Sequence, residues 1–388
     1  MNISELQQDL QTSETHTIGA LDNTHTFLKD NEFIHSGYRI NFSTTKRILK
    51  SLFMCHNESV NIWTHLIGLF VFLFLLWYSI EFLDIAESIG IQLSRVQLLQ
   101  VLREAFTSSW YYGLSTWELL SNKVHAFVGD WEKEVLYAIE TQSALLNSND
   151  IKEIISQKIE EYRLFVIQKI DMGDYVFFGL QSDFTNPEHY LSRWPIYVFV
   201  VSAMICLFCS SFYHLFCAHS YKVYKFSSTL DYAGISILIA GSFYPVIYYI
   251  YYCHEELVIA YLVGISVCAL GVFFSSFTPC FSKPKWRWLR GTTFLMLGLL
   301  GLIPCLNLFF IPEALDFATS LLYYMGMALC YIIGVMIYIF RIPERFCPGK
   351  LDFIGNSHNI WHCFVLAAAI IHYLGSIDSY YTRQNLTC

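Results

Sequence analysis

The chain has 388 residues, 55% of them hydrophobic and only 14% charged. A soluble protein carries about a quarter charged residues, so this balance points to a membrane protein and gives no footing to a nucleic-acid-binding role. The formal net charge of −8 says little, because the charges are segregated along the chain.

Residues 1–60 form a polar N-terminal region with a basic end at Lys46, Arg47 and Lys50. No short apolar core follows a basic head there, so no cleavable signal peptide is expected and the first span should serve as the signal. A helix needs about 20 apolar residues to cross the hydrocarbon core. Seven runs meet that length, at 61–83, 196–216, 230–252, 257–277, 291–311, 318–340 and 357–376. The expected fold is therefore all-α, with seven transmembrane helices.

The connections set the orientation. Lys46, Arg47 and Lys50 precede span one, and Lys222 and Lys225 separate spans two and three. Lys283, Lys285, Arg287 and Arg290 lie between four and five, and Arg341, Arg345 and Lys350 between six and seven. The loops 253–256 and 312–317 hold no Lys or Arg, and the tail 377–388 holds only Arg383. Basic residues collect on the cytosolic side, which places the N-terminus in the cytosol and the short C-terminal tail outside.

Between spans one and two lies a connection of more than 100 residues, 84–195. A structureless loop of that length is unusual. Its segments Ile91–Glu104, Trp131–Leu146 and Ile151–Ile170 have helical spacing of apolar residues, so a helical insertion on the outer side is expected. Half of the 12 cysteines fall inside apolar runs (Cys206, Cys209, Cys268, Cys305, Cys330, Cys363) and read as small packing residues. The sequon Asn385-Leu386-Thr387 falls on the outer side, near the end of the chain.

Span two runs from outside to inside and ends in Ser210-Ser211-Phe212-Tyr213-His214; span three begins inside near Asp231; span seven begins inside with His358 and His362. Residues four apart lie on one helix face, so His358 and His362 can reach one ion together. Ionisable groups inside a bilayer are costly and are usually kept for a purpose. Counting spans puts three histidines and Asp231 at one depth, in the inner third of the membrane. Three neutral imidazoles with an open position are a catalytic type of zinc set, which lowers the pKa of a bound water to about 7. Asp231 is placed to bond that water or to orient an imidazole. Ser210, one turn before His214, either donates to a developing oxyanion or serves as a small residue for close helix packing.

Glu58, Asn61 and His65 share one face at the start of span one, where they close the site or bind the start of another span; a structural polar cluster is the expectation for them. His372 lies about 15 Å deeper than His362 by helix rise and stands outside the set. His219 and His254 fall in loops and read as solvated.

Several stretches resemble the progestin and adipoQ receptor (PAQR) family. They are Leu28-Lys29-Asp30-Asn31-Glu32-Phe33, His56-Asn57-Glu58-Ser59-Val60-Asn61-Ile62-Trp63-Thr64-His65, Ser210 to His214, Leu230-Asp231-Tyr232-Ala233-Gly234-Ile235, Arg341-Ile342-Pro343-Glu344-Arg345 and Ser357-His358-Asn359-Ile360-Trp361-His362. The pattern is similar to the adiponectin-receptor branch and to fungal zinc-homeostasis relatives, over about 28–83 and 196–376. The resemblance implies seven helices with a cytosolic N-terminus and zinc held by His214, His358 and His362. It also implies Asp231 on the zinc-bound water, with Ser210 nearby. It links the chain to hydrolysis of a ceramide-like lipid or to lipid, sterol and zinc homeostasis, at the plasma membrane or an endomembrane such as the endoplasmic reticulum. The insertion at 84–195 and the short tail depart from the family on the face where an extracellular protein ligand would dock, so no hormone partner is assigned.

Three functions follow. The first is a zinc-dependent hydrolase of a membrane lipid amide, with Asp231 and Ser210 as its working side chains. The second is a receptor or sensor whose zinc is structural. The third, a zinc transporter, would need polar groups spaced through the bilayer, whereas this cluster lies at one side. A retinal pump is excluded, since no lysine lies within the seven runs.

Overall fold

The computed structural model describes residues 16–88, 191–278, 281, 286–386 and 388. The three helices expected within 84–195 lie outside the described residues. Seven helical segments among those described are long and apolar enough to cross a bilayer: Ser59–Ile80, Trp194–Phe216, Tyr221–Ile250, Glu255–Ser275, Arg287–Phe310, Pro312–Phe340 and Ser357–Gln384. We label the regular elements β1 (Thr17–Gly19), β2 (Tyr38–Ile40), α1 (Thr45–Ser51), α2 (Ser59–Ser88), α3 (Trp194–Phe216), α4 (Tyr221–Ile250) and α5 (Glu255–Ser275). They continue with α6 (Arg287–Leu299), the short α7 (Leu302–Asn307), α8 (Ala318–Phe340) and α9 (Ser357–Gln384).

Two boundaries differ from the apolar runs. Helix α4 begins at Tyr221, nine residues before 230, because the Ser220 side chain accepts from the Val223 amide and opens the helix there. Its first turns carry Lys222 and Lys225, which a hydropathy reading leaves in the loop. Asp231 is therefore the eleventh residue of its helix and does not open it. Helix α9 runs on to Gln384, past 376, because its polar residues find partners inside the bundle. Ser320 on α8 donates to Asp378 at 2.7 Å, and the hydroxyls of Tyr324 and Ser379 meet at 2.9 Å.

The helices share the interior unequally. Half of the most apolar window of α3, α4 and α9 is buried, against 17% for α5 and 11% for the fifth span. The first three therefore form the centre, and the latter two turn most of their surface outward, as lipid-facing helices do. Close approach of α3 and α4 depends on glycine. A Cβ on Gly234 would lie 3.1 Å from Cys206 Cα, and one on Gly241 would lie 2.2 Å from Ser202 Oγ. Small residues at such seams let two backbones meet in a membrane, where lipid already satisfies apolar surface and packing must supply the attraction.

On the side of the bundle where α3 ends and α9 begins, the N-terminal segment forms a cap. Strands β1 and β2 pair antiparallel, Thr17 with Ile40 and Gly19 with Tyr38. Just after β2's first residue, the buried Arg39 donates to the carbonyls of His214 (2.6 Å) and Leu215 (2.7 Å), satisfying the end of α3. Asp30 meets Arg287 at 3.4 Å, and Glu32 pairs with Arg341, so the cap also binds the fifth and sixth spans. On the opposite side, Cys253 after α4 forms a disulfide with Cys388.

Candidate metal centre

The start of α9 is built to hold two imidazoles in place. Asn356 caps the helix, its side chain accepting from the amides of His358 and Asn359 at 3.1 Å each. Glu344, fully buried, accepts from the Ser357 amide at 2.7 Å, from the Ser357 hydroxyl, and from Asn31 at 3.0 Å. A carboxylate at a helix N-terminus is electrostatically favoured, and this one joins the cap to the helix that carries His358 and His362.

His214 arrives from α3, whose last turn Arg39 secures. The three rings converge: centroids lie 4.9 Å apart for His214 and His358, 4.7 Å for His214 and His362, and 4.9 Å for His358 and His362. One ligand nitrogen from each lies within 4.8 Å of the others. Nε2 of His214 and Nδ1 of His362 are buried with no hydrogen-bond partner. An orphaned buried nitrogen costs about 1–3 kcal/mol, and a cation shared by this cluster would give both a partner. The donor set fits a metal ion on that ground.

Asp231 on α4 is buried, and Ser210 and His214, both on α3, are among the groups that act on its carboxylate. The pair expected from sequence is thus brought together beside the three imidazoles. His372 stands apart: its Nδ1 meets the Met327 sulfur at 3.1 Å, and its ring lies against Phe199 and Tyr324. His254 caps α5 and comes to 3.7 Å from Glu313, and His219 is half-buried, so neither is simply solvated.

Glu58, Asn61 and His65, expected as a structural polar cluster with closure of the site as the alternative, touch the centre. Glu58 Oε2 lies 2.8 Å from His214 Nδ1 and accepts from Asn61 at 2.6 Å. Asn61 in turn accepts from Asn359 at 2.8 Å. His65 stacks on His362 with centroids 3.8 Å apart. Their shared face was legible from their spacing, but its aim was not, because spacing does not say which neighbour a face meets. The wall nearest His358 comes from Tyr338 on α8, whose ring is 5.4 Å away. The Arg287 guanidinium lies 3.8 Å over that Tyr338 ring, with Nε and Nη2 buried and without hydrogen-bond partners. From sequence alone Arg287 is one of the basic residues of the loop between spans four and five.

A sequence profile of the family described as Haemolysin-III related matches residues 171–373. "Heptahelical transmembrane protein 4" of Arabidopsis thaliana is 32% identical over 376 residues, 94% of this chain and 86% of its own length. "Heptahelical transmembrane protein ADIPOR3" of Oryza sativa subsp. japonica is 32% identical over 89% of this chain and 86% of its own length. The "Adiponectin receptor protein" of Drosophila melanogaster is 28% identical over 90% of this chain and 56% of its own length.

Proposed function

The chain belongs to the Haemolysin-III related family of seven-helix, adiponectin-receptor-like membrane proteins, and from that premise we propose that it holds zinc at His214, His358 and His362 and hydrolyses a ceramide-like lipid amide. The observation that carries the reading is the convergence of three imidazoles from two central helices beside the Ser210–Asp231 pair. Zinc in such a set supplies Lewis acidity and an activated water at neutral pH.

The chain's own residues supply the rest. Asp231 is the proton acceptor within the apolar interior and returns the proton to the leaving amine. Ser210, beside Asp231, is a hydroxyl donor for that carboxylate or for a developing oxyanion. Arg287, with Nε and Nη2 unpartnered, offers a cation to the carboxylate that amide hydrolysis releases. Lipid reaches the centre from the bilayer between helices, and the N-terminal cap excludes bulk water from the opposite side.

The orientation we propose has the N-terminus in the cytosol and α9 ending outside, at the plasma membrane or the endoplasmic reticulum. The Cys253–Cys388 disulfide supports it, since such bonds persist on the oxidising side. Purified protein given zinc and ceramide should release sphingoid base. Undiminished release by the His358→Ala, His362→Ala double variant would contradict the reading.

A receptor reading is favoured by one observation, the name of the Drosophila relative. On it the zinc is structural: removing it lowers the melting temperature, and no lipid turnover accompanies a zinc-loaded preparation.

A further inference from the structure

We propose that Glu58 is the positioning residue of the metal centre, its carboxylate holding His214 in the tautomer and ring orientation that turn Nε2 toward the ion. This rests on the reading of His214, His358 and His362 as metal ligands.

An ionised carboxylate can only accept, so with Oε2 2.8 Å from Nδ1 the proton of a neutral His214 sits on Nδ1. A neutral imidazole has one N–H, and the lone pair is then on Nε2, the nitrogen left buried and without a partner. Histidine ligands commonly donate their second nitrogen in this way, which fixes the tautomer and raises the basicity of the ligating atom.

Glu58 is itself held from two directions, so it can orient His214 rather than follow it. Its backbone amide donates to His56 Nδ1 at 3.1 Å, fixing the chain just before α2. The Asn61 side chain, in the first turn of α2, donates to the same Oε2 at 2.6 Å. Asn61 accepts from Asn359, which lies on α9 between the two other ligands. A continuous chain of hydrogen bonds thus runs Asn359 to Asn61 to Glu58 to His214. It links His214 to the helix that carries the two other ligands, through the start of α2, an element that contributes no ligand.

The bland alternative is that Glu58 merely packs α2 against α3. Three forms of the full-length protein separate the two: wild type, Glu58→Gln and Glu58→Ala. Each is purified metal-free and titrated with Zn2+ against a chelator and with Co2+ as a visible probe. Their melting temperatures are measured with and without metal. The positioning role predicts zinc binding about 10- to 100-fold weaker in Glu58→Ala. Glu58→Gln keeps an acceptor of the same size without the charge, and should bind with an intermediate loss and a shifted Co2+ absorption band. The metal-free melting temperature of Glu58→Gln should match wild type. Zinc affinity and Co2+ spectrum unchanged in both variants would overturn the proposal. So would a lower affinity matched by an equally lower metal-free melting temperature with an unshifted spectrum. Should Glu58→Ala fail to fold, Glu58→Gln decides alone. Wild-type protein that takes up neither ion fails at an earlier step, removing the metal reading and this inference together.

Discussion

The ring of His65 lies flat against that of His362, with centroids 3.8 Å apart and planes 22° apart. Both residues are almost fully buried. The first span thereby supplies a wall of the candidate centre, against the ring of His362. Replacing His65 by Ala removes that wall and opens a cavity, which should cost roughly 1–3 kcal/mol of stability. The expected outcome is a lower melting temperature together with weaker zinc uptake, both read on solubilised protein. A variant that loses stability but binds zinc as before would make His65 a packing residue only.

His56 gives the cap a pH dependence. It is buried, its Nδ1 accepts from the Glu58 amide and its Nε2–H donates to the Ser51 carbonyl at 3.2 Å, so the site accepts only a neutral ring. Burial, and then the nearby Arg39 guanidinium, lower its pKa from 6.5 to about 3. Since the folded value lies below the unfolded one, protons bind the unfolded chain better. Stability is unaffected above pH 6.5 and is lost as pH falls from 6.5 toward 3, by at most about 1.4 kcal/mol per pH unit. Melting temperatures measured from neutral pH down to mildly acidic pH should fall, and His56→Gln should flatten the fall. A wild-type curve no steeper than that of the variant would remove His56 as its cause.

Gly241 fixes the spacing of α3 and α4. A Cβ there would meet Ser202 at 2.2 Å from Oγ and 2.5 Å from Cβ. Moving only the hydroxyl cannot relieve the second contact. Gly241→Ala should therefore destabilise the fold by about 1–3 kcal/mol, and Ser202→Gly should restore most of the loss. Denaturation of the single and double variants checks the coupling, and an absence of rescue would place the strain elsewhere.

The disulfide makes a topological prediction. Cys253 and Cys388 are joined, whereas Cys55, before α2, is free and exposed. In sealed cells or vesicles, an impermeant thiol reagent added after impermeant reduction should label Cys388 from the outer or luminal side. It should reach Cys55 only once the membrane is opened. Labelling of Cys55 in sealed membranes would reverse the orientation. Cys388→Ser should lower stability by up to about 4 kcal/mol, as loss of a long-loop crosslink does.

The seven spans were legible because length and apolarity suffice to recognise a crossing helix. Their ends were less so, for identifiable reasons. Lys222 and Lys225 sit on helical turns outside the apolar window, and Asp378 and Ser379 look like an exit from the membrane until Ser320 and Tyr324 are seen opposite them. At the site, the spacing of His358 and His362 and the order of the spans pointed to one cluster, and counting was enough to bring His214, Asp231 and Ser210 to it. Glu58 and Asn61 were legible there only as one alternative, and Arg287 not at all. Each belongs to the centre through a contact between elements distant in sequence, such as Asn359 to Asn61, and no local pattern encodes that pairing. The joining of Cys253 to Cys388 was hidden for the same reason.

The central claim is that three imidazoles bind one ion, and elemental analysis of the purified, folded protein tests it most directly. The account predicts about one zinc per chain in the wild type, and none in the variant with Ala at His214, His358 and His362. Folded wild-type protein that retains no zinc, and takes none up on titration, would contradict it.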